Sequence, residues 1–137
     1  GGSSVALKRV PASEVVAYGV VETVGDVDAD GVVAVRSMVE KPSISEAPSD
    51  LILIGRYVLA ADAFEAIEGL ERGSNGEIQS TDALKILAAS APFHGVVSKI
   101  GRHDTGTPLG WLTAVVDLAL DDAQIGSQFR SWLDGRT

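Results

Sequence analysis

The stretch Leu51-Ile52-Leu53-Ile54-Gly55-Arg56-Tyr57-Val58-Leu59 decides the fold class of this sequence. It is an apolar run broken only by Gly55 and Arg56, and short apolar runs of this kind are typical of buried strands. A glycine inside a strand often marks a place where another backbone comes close. We therefore predict a central, buried strand over 51–59 with a close backbone approach at Gly55.

The residues before this strand predict further strands, two of which form a hairpin. Extended, β-branched patterns begin at Val20-Val21 and again over 32–39, and the acidic, glycine-containing stretch 25–31 between them has the composition of a turn. A shorter β-like run covers 5–10. Ser43 and Glu46 have capping-box spacing, but Pro48 limits the segment to one helical turn. The N-terminal part is thus predicted to be mainly sheet.

After the central strand, the apolar spacing changes to that of helices. It predicts helices over 62–70, 82–90 and 108–121, a further strand over 93–100, and a last amphipathic segment around 129–133. Breakers at 72–76 end the first helix. Ser80 or Thr81 is predicted to cap the second, and Thr107 and Pro108 begin the third as N-cap and first residue. We expect an α/β fold in which a mixed β-sheet is flanked by helices, built as a single domain over 1–137.

Composition excludes several classes of function. The 137 residues carry a formal net charge of −8, which disfavours nucleic acid and anionic membrane surfaces as partners. The absence of cysteine excludes disulfides, thiolate metal sites and a cysteine nucleophile, and it agrees with a cytoplasmic location. The sequence contains no Gly-x-Ser-x-Gly, His-Glu-x-x-His or phosphate-loop motif. Hydroxyl, carboxylate, lysine and histidine chemistry remains.

Three polar groups lie where predicted strands end, and strand ends commonly bind ligands in α/β layers. They are Tyr18-Gly19, Glu40-Lys41-Pro42 and the stretch 103–106, His-Asp-Thr-Gly. Each one alone is more commonly a solvated strand exit or a turn. The two histidines, His94 and His103, have no partner at ligand spacing, so a role at the border of a strand is favoured over metal binding.

At these positions the chain resembles the C-terminal half of the bacterial UTP–glucose-1-phosphate uridylyltransferases, a family of sugar-phosphate nucleotidyltransferases. The resemblance extends over nearly the whole chain, and its specificity lies in the order and spacing of the motifs. These are Val10-Pro11, Tyr18-Gly19-Val20-Val21, Val39-Glu40-Lys41-Pro42, Glu46-Ala47-Pro48-Ser49, Ile54-Gly55-Arg56-Tyr57-Val58-Leu59, Gly76-Glu77-Ile78-Gln79-Ser80-Thr81-Asp82-Ala83, Asp104-Thr105-Gly106 and Leu109-Gly110-Trp111-Leu112.

The resemblance implies a Mg²⁺-dependent reaction of UTP with glucose 1-phosphate that gives UDP-glucose and pyrophosphate. It implies that Lys41 is the catalytic cation that meets the sugar phosphate, and that Glu40 accepts hydrogen bonds from sugar hydroxyls. Gly19 would let the backbone approach the sugar, and Asp104 would help to hold Mg²⁺. The fold implied is the C-terminal part of a Rossmann-like nucleotidyltransferase fold.

The resemblance leaves the family's N-terminal half without a counterpart, including the Gly-x-Gly-x-x-x-Arg region that binds the nucleotide. We therefore expect this chain to be a fragment that is inactive in isolation. A piece of a larger sheet should expose an unpaired strand edge and an apolar face, so we also expect a homo-oligomer. Two alternatives stay open: a noncatalytic sugar-phosphate-binding or assembly module, and a nucleotidyltransferase for another sugar or nucleotide.

Overall fold

The computed structural model describes residues 2–70 and 78–136. They fall into two compact units, Gly1–Lys99 and Ile100–Thr137, and each unit is described by itself. The helix breakers predicted at 72–76 lie outside the described residues. The single domain over 1–137 stays a prediction.

The first unit is built on a mixed sheet, as predicted. Its strands are β1 (Ser3–Arg9), β2 (Gly19–Val24), β3 (Val32–Glu40), β4 (Leu51–Val58) and β5 (Phe93–Val97). β1 runs parallel to β5, and the other neighbouring pairs are antiparallel. The predicted hairpin is the pair β2–β3, in which Gly19 lies opposite Glu40.

The expectation of an unpaired strand edge is wrong for the described part of the chain. The five strands close in the order β1-β4-β2-β3-β5, with β5 returning to β1. Each strand therefore has a neighbour on both sides, although β2 and β4 meet at one residue pair, Val20 and Ile52. Closure satisfies backbone groups that an open edge would leave without partners.

Two helices, α1 (Ala63–Glu68) and α2 (Ser80–Ser90), contribute to the main core of the first unit. The inner face of α2 is apolar, and its residues Leu84 and Leu87 are buried. They share a cluster with Ala83 of the same helix and with residues of the sheet and of α1, namely Val5, Leu7, Val21, Val33, Val35, Met38, Leu51, Leu53, Ala63, Ala66 and Phe93. Their removal from water supplies the main driving force for joining α2 to the sheet.

A second, smaller cluster packs beneath a 3-10 turn that follows β1. This turn covers Ala12–Ala17 and buries Val15 against Val10, Val20 and Ile52. At its end, the Tyr18 N–H donates to the carbonyl of Val15 at 3.2 Å. The turn therefore delivers the chain to the start of β2 at Gly19.

The central strand is present, but the reason predicted for Gly55 is wrong. β4 is buried over Leu51–Leu53 and exposed over its second half. Gly55 has a φ of +75°, and a Cβ built there would meet nothing within 4 Å. Glycine is favoured because side-chain-bearing residues rarely adopt this backbone conformation, and close approach plays no part.

The second unit contains α3 (Pro108–Asp121) and α4 (Gly126–Asp134). The predicted start of α3 is confirmed, since the Thr107 hydroxyl accepts the Gly110 N–H at 3.1 Å and Pro108 is the first helical residue. Two apolar side chains in the first half of α3 are exposed, with Leu109 71% and Leu112 52% accessible. None of the helices in the described residues combines the length and apolar character of a membrane span.

Candidate functional site

The β2–β3 hairpin brings together three of the four residues selected from the sequence. Gly19 begins β2, Glu40 ends β3, and the two lie opposite each other in the ladder. Lys41 follows directly, and its N–H donates to the carbonyl of Tyr18 at 3.0 Å. The pairing of Tyr18-Gly19 with Glu40-Lys41 thus makes one site from two of the predicted strand ends.

Lys41 has an unusual backbone conformation. Its φ of +45° makes it the one non-glycine residue with positive φ among residues 2–70 and 78–136. Left-handed backbone is strained for a residue with a Cβ, and such strain often occurs where a side chain is held for function. The turn at Lys41 separates β3 from the buried Pro42, and the lysine side chain is exposed. The ammonium is therefore accessible to a ligand from solvent.

Thr81 is part of this site and was misread from the sequence. It is 4% exposed, and its hydroxyl donates to Oε2 of Glu40 at 2.6 Å. The prediction that Ser80 or Thr81 caps α2 is wrong, because Gln79 occupies the N-cap position and no side chain makes a capping bond there. Threonine at the start of a helix commonly serves as an N-cap, so the sequence alone favours that role. The bond of Thr81 to a distant strand becomes visible only in the three-dimensional structure.

Gly19 leaves room for the Glu40 carboxylate. A Cβ added at Gly19 would lie 3.1 Å from Oε2 of Glu40, 2.9 Å from Cδ1 of Leu53 and 3.5 Å from Oγ1 of Thr81. The first two distances are shorter than ordinary carbon contacts. Glycine at this position thus allows Glu40 and Thr81 to meet.

Tyr57 is a further residue that the sequence did not select as part of the site. Burial of its phenol, and then the negative charge of Glu40, raise the pKa of Tyr57 above its ordinary value. Tyr57 is nevertheless 40% exposed on β4. The negative charge of Glu40 thus contributes to holding the phenol proton of Tyr57.

Asp104, the fourth selected residue, lies in the second unit. Its Oδ1 accepts the N–H of Gly106 at 3.1 Å, which forms an Asx turn, and its Oδ2 receives Arg102 at 3.1 Å. A Cβ at Gly110 would come within 1.9 Å of the Asp104 carbonyl oxygen. Glycine at the start of α3 therefore allows this loop to pack on the helix.

The described residues contain no group of three or more histidine or acidic side chains that could hold a metal ion. His103 lies 3.8 Å from Asp117, measured from Nδ1 to Oδ2. His94 is exposed on β5. The histidines therefore belong to no metal cluster in the part of the chain that the structure describes.

A family model described as nucleotidyl transferase matches residues 1–120. The chain belongs to the nucleotidyl transferase family. Similar proteins include one of Methanocaldococcus jannaschii, provisionally named UTP–glucose-1-phosphate uridylyltransferase, at 41% identity over 97% of this nucleotidyl transferase chain and 45% of its own length. The UTP–glucose-1-phosphate uridylyltransferase of Streptococcus pneumoniae serotype 4 is 37% identical over 96% of the chain and 44% of its own length.

A solved structure confirms the predicted nucleotidyl transferase fold class. It is a UDP-glucose pyrophosphorylase complexed with UDP-glucose, which matches with a TM-score of 0.79 and 38% identity. The match covers 85% of this nucleotidyl transferase chain and 44% of that chain. The present chain thus spans less than half the length of the relatives it matches.

Proposed function

We propose that this chain is the C-terminal, sugar-phosphate-binding half of a UTP–glucose-1-phosphate uridylyltransferase. The whole protein would convert UTP and glucose 1-phosphate into UDP-glucose and pyrophosphate. The observation that carries the proposal is the cluster of Gly19, Glu40 and Lys41 at the paired ends of β2 and β3. The relatives that bear this name match nearly the whole length of the chain.

The proposed reaction requires positioning and neutralisation of charge more than a covalent nucleophile. A phosphate oxygen of glucose 1-phosphate attacks the α-phosphorus of UTP in line, and the bond from that phosphorus to the leaving pyrophosphate breaks. Lys41 is assigned to the attacking phosphate, because a lysine ammonium is a compact charge that suits a phosphate oxygen. Its exposure and its fixed backbone support this role.

Glu40 is assigned to the sugar hydroxyls, since an ionised carboxylate accepts several hydrogen bonds and donates none. Gly19 is assigned to the close approach of the sugar. The partly buried bond from Thr81 to Glu40 supports the assignment of Glu40, because it holds the carboxylate at the end of the strand pair.

Asp104 is assigned to a divalent metal ion, which we propose is Mg²⁺. The fit is that of a single ligand: Asp104 is a hard oxygen donor and 51% of its side chain is exposed. Mg²⁺ is commonly held by one or two carboxylates together with substrate phosphates. Arg102 now occupies Oδ2 and would have to share it. When bound, the ion would neutralise charge on the phosphates.

The test is pyrophosphate release by the full-length protein in the presence of Mg²⁺. We expect release that requires both UTP and glucose 1-phosphate, with UDP-glucose formed in equal amount. Binding of glucose 1-phosphate without turnover would favour a noncatalytic module instead. Faster turnover with another nucleotide or sugar phosphate would assign the protein to another member of the same reaction class.

We further propose that the protein is a cytoplasmic homo-oligomer. The lack of cysteine supports the location. The exposed apolar side chains of α3, with Leu118 63% accessible, support self-association. Sedimentation of the full-length protein as a clean monomer at micromolar concentration would contradict the oligomer.

A further inference from the structure

The hydroxyl of Thr81 is a buried polar group that donates a hydrogen bond to a single acceptor, the Glu40 carboxylate. It lies at the second residue of α2, where it makes no capping bond to its own helix. Instead it donates to Oε2 of Glu40 at 2.6 Å, joining α2 to the end of β3. Buried hydroxyls need such partners, and a bond to a charged acceptor is among the stronger ones.

Gly19 bounds the same oxygen on another side. A methyl group at Gly19 would lie 3.1 Å from Oε2 of Glu40 and 3.5 Å from the Thr81 hydroxyl oxygen. The Oε2 atom therefore lies close to both Gly19 and the Thr81 hydroxyl. Loss of the Thr81 hydroxyl would release the carboxylate, and a methyl group added at Gly19 would push against it.

The other carboxylate oxygen has a different environment. Glu40 is only partly buried, and Thr81 is its one hydrogen-bond donor recorded within residues 2–70 and 78–136. A carboxylate offers about four lone-pair sites. With Oε2 engaged, Oε1 retains its capacity to accept bonds from a ligand.

We propose that Thr81 is a positioning residue that fixes the Glu40 carboxylate so that Oε1 is presented to a hydroxyl pair of the sugar. This inference rests on the proposed function, since it names how the same site orients its sugar. A fixed acceptor binds better than a mobile one, because the ligand does not have to order it. The role of Thr81 is therefore selective for the sugar and separate from binding of the nucleotide.

The experiment compares Thr81→Val with Thr81→Ser in the full-length protein. Valine keeps the shape of threonine and removes the hydroxyl, whereas serine keeps the hydroxyl. We expect Thr81→Val to raise the KM for glucose 1-phosphate by roughly tenfold or more, in the range for loss of a hydrogen bond to a charged group. The KM for UTP should stay within about twofold. Thr81→Ser should restore values close to those of the unaltered protein.

Two controls separate positioning from a structural effect. Ser90→Ala removes a hydroxyl from the other end of α2, where it donates to the carbonyl of Leu87, and it should leave both KM values unchanged. In a Glu40→Ala background, Thr81→Val should have little further effect on the KM for glucose 1-phosphate, because its partner is gone. Binding of UDP-glucose, measured by calorimetry, should weaken in Thr81→Val while binding of UTP does not.

The results distinguish failure of the inference from failure of the proposed function. An unaltered protein that releases no pyrophosphate from UTP and glucose 1-phosphate overturns both. An active protein in which Thr81→Val leaves the sugar-phosphate KM unchanged, or raises both KM values equally, overturns the positioning role alone. If Thr81→Val does not fold, Thr81→Ala removes the same hydroxyl in a smaller side chain, and an unchanged sugar-phosphate KM in folded Thr81→Ala overturns it as well.

Discussion

Gly19 and Glu40 face each other across the β2–β3 pair, and a methyl group on Gly19 would lie 3.1 Å from Oε2 of Glu40. The glycine and the carboxylate therefore occupy a shared space. A side chain at position 19 would therefore change the position of the Glu40 carboxylate.

Gly19→Ala should lower both stability and sugar-phosphate binding. Overpacking of this kind costs about 1–3 kcal/mol, and the new methyl group presses on Leu53 as well as on Glu40. Thermal unfolding and the KM for glucose 1-phosphate measure the two effects. Gly95→Ala is the matched control: its Cβ would come within 2.2 Å of Cδ1 of Leu7, so it should destabilise the protein without changing that KM. A normal KM in folded Gly19→Ala would contradict the shared space.

Lys41→Ala should reduce kcat/KM by roughly 100-fold or more, about 3 kcal/mol, in the range for loss of one preorganised electrostatic contact. Lys41→Gly should reduce it equally but give a protein about 1 kcal/mol more stable than Lys41→Ala, because glycine adopts the positive φ of this position without strain. Turnover and denaturant unfolding on the same preparations test both parts. Near-normal turnover in well-folded Lys41→Ala would remove Lys41 from the proposed site.

Asp104→Asn should raise the Mg²⁺ concentration needed for half-maximal activity. Asparagine keeps an oxygen for the N–H of Gly106, so the turn survives while the charge is lost. The effect should be about tenfold or more, as for other losses of a bond to a charged group. Asp122→Asn is the control, since Asp122 likewise accepts backbone N–H groups, those of Gln124 and Ile125. Equal metal requirements in the two variants would exclude Asp104 as a ligand.

Tyr57 should make the protein sensitive to alkaline pH. Its pKa is raised in the folded state, first by burial and then by Glu40, so the folded protein holds the phenol proton more tightly than the unfolded chain. The free energy of unfolding should therefore fall as the pH rises above about 10, the pKa of an unfolded tyrosine. Tyr57→Phe should reduce this decline, and Tyr18→Phe, which keeps Tyr57, should retain it.

The same titration tests the electrostatic influence of Glu40 on Tyr57. Glu40→Gln should lower the pKa of Tyr57 part of the way to its ordinary value, because burial, the larger cause, remains. The tyrosine ring resonance of Tyr57, followed by NMR against pH, measures this change. An unchanged midpoint would contradict the electrostatic contact.

Local signals in the sequence predicted the elements that depend on neighbours in the chain. The β2–β3 hairpin followed from a turn between two β-branched runs. The short Ser43–Glu46 turn followed from capping-box spacing, and there the Ser43 hydroxyl donates to Glu46 at 2.6 Å. The start of α3 followed from Thr107 and Pro108. In each case the residues that make the contact are at most a few positions apart or joined by a tight turn.

Contacts between distant residues were missed for a physical reason. The hydroxyl of Thr81 bonds to a carboxylate on a strand that ends long before α2 begins, and cap-like composition concealed this role. The closing of the sheet between β1 and β5 has no local signal either. Gly55 was identified as special, but a positive φ and a close approach require the same residue type. The sequence pattern therefore identified the position that requires glycine, but it did not distinguish the two physical reasons for the requirement.

The pairing of Ser3 with Phe93 bears on how the chain is made. During synthesis β1 leaves the ribosome long before β5, so until β5 emerges β4 is the one strand of its final pair available to it. One row of its backbone amides then lacks its final strand partner and is open to pairing with another strand. Joining residues so far apart is slow, because loop closure must precede the contacts that stabilise it. The pairing of β1 with β5 should therefore be the last part of the closed sheet to form on a growing chain. Until it forms, β1 can pair with a wrong strand.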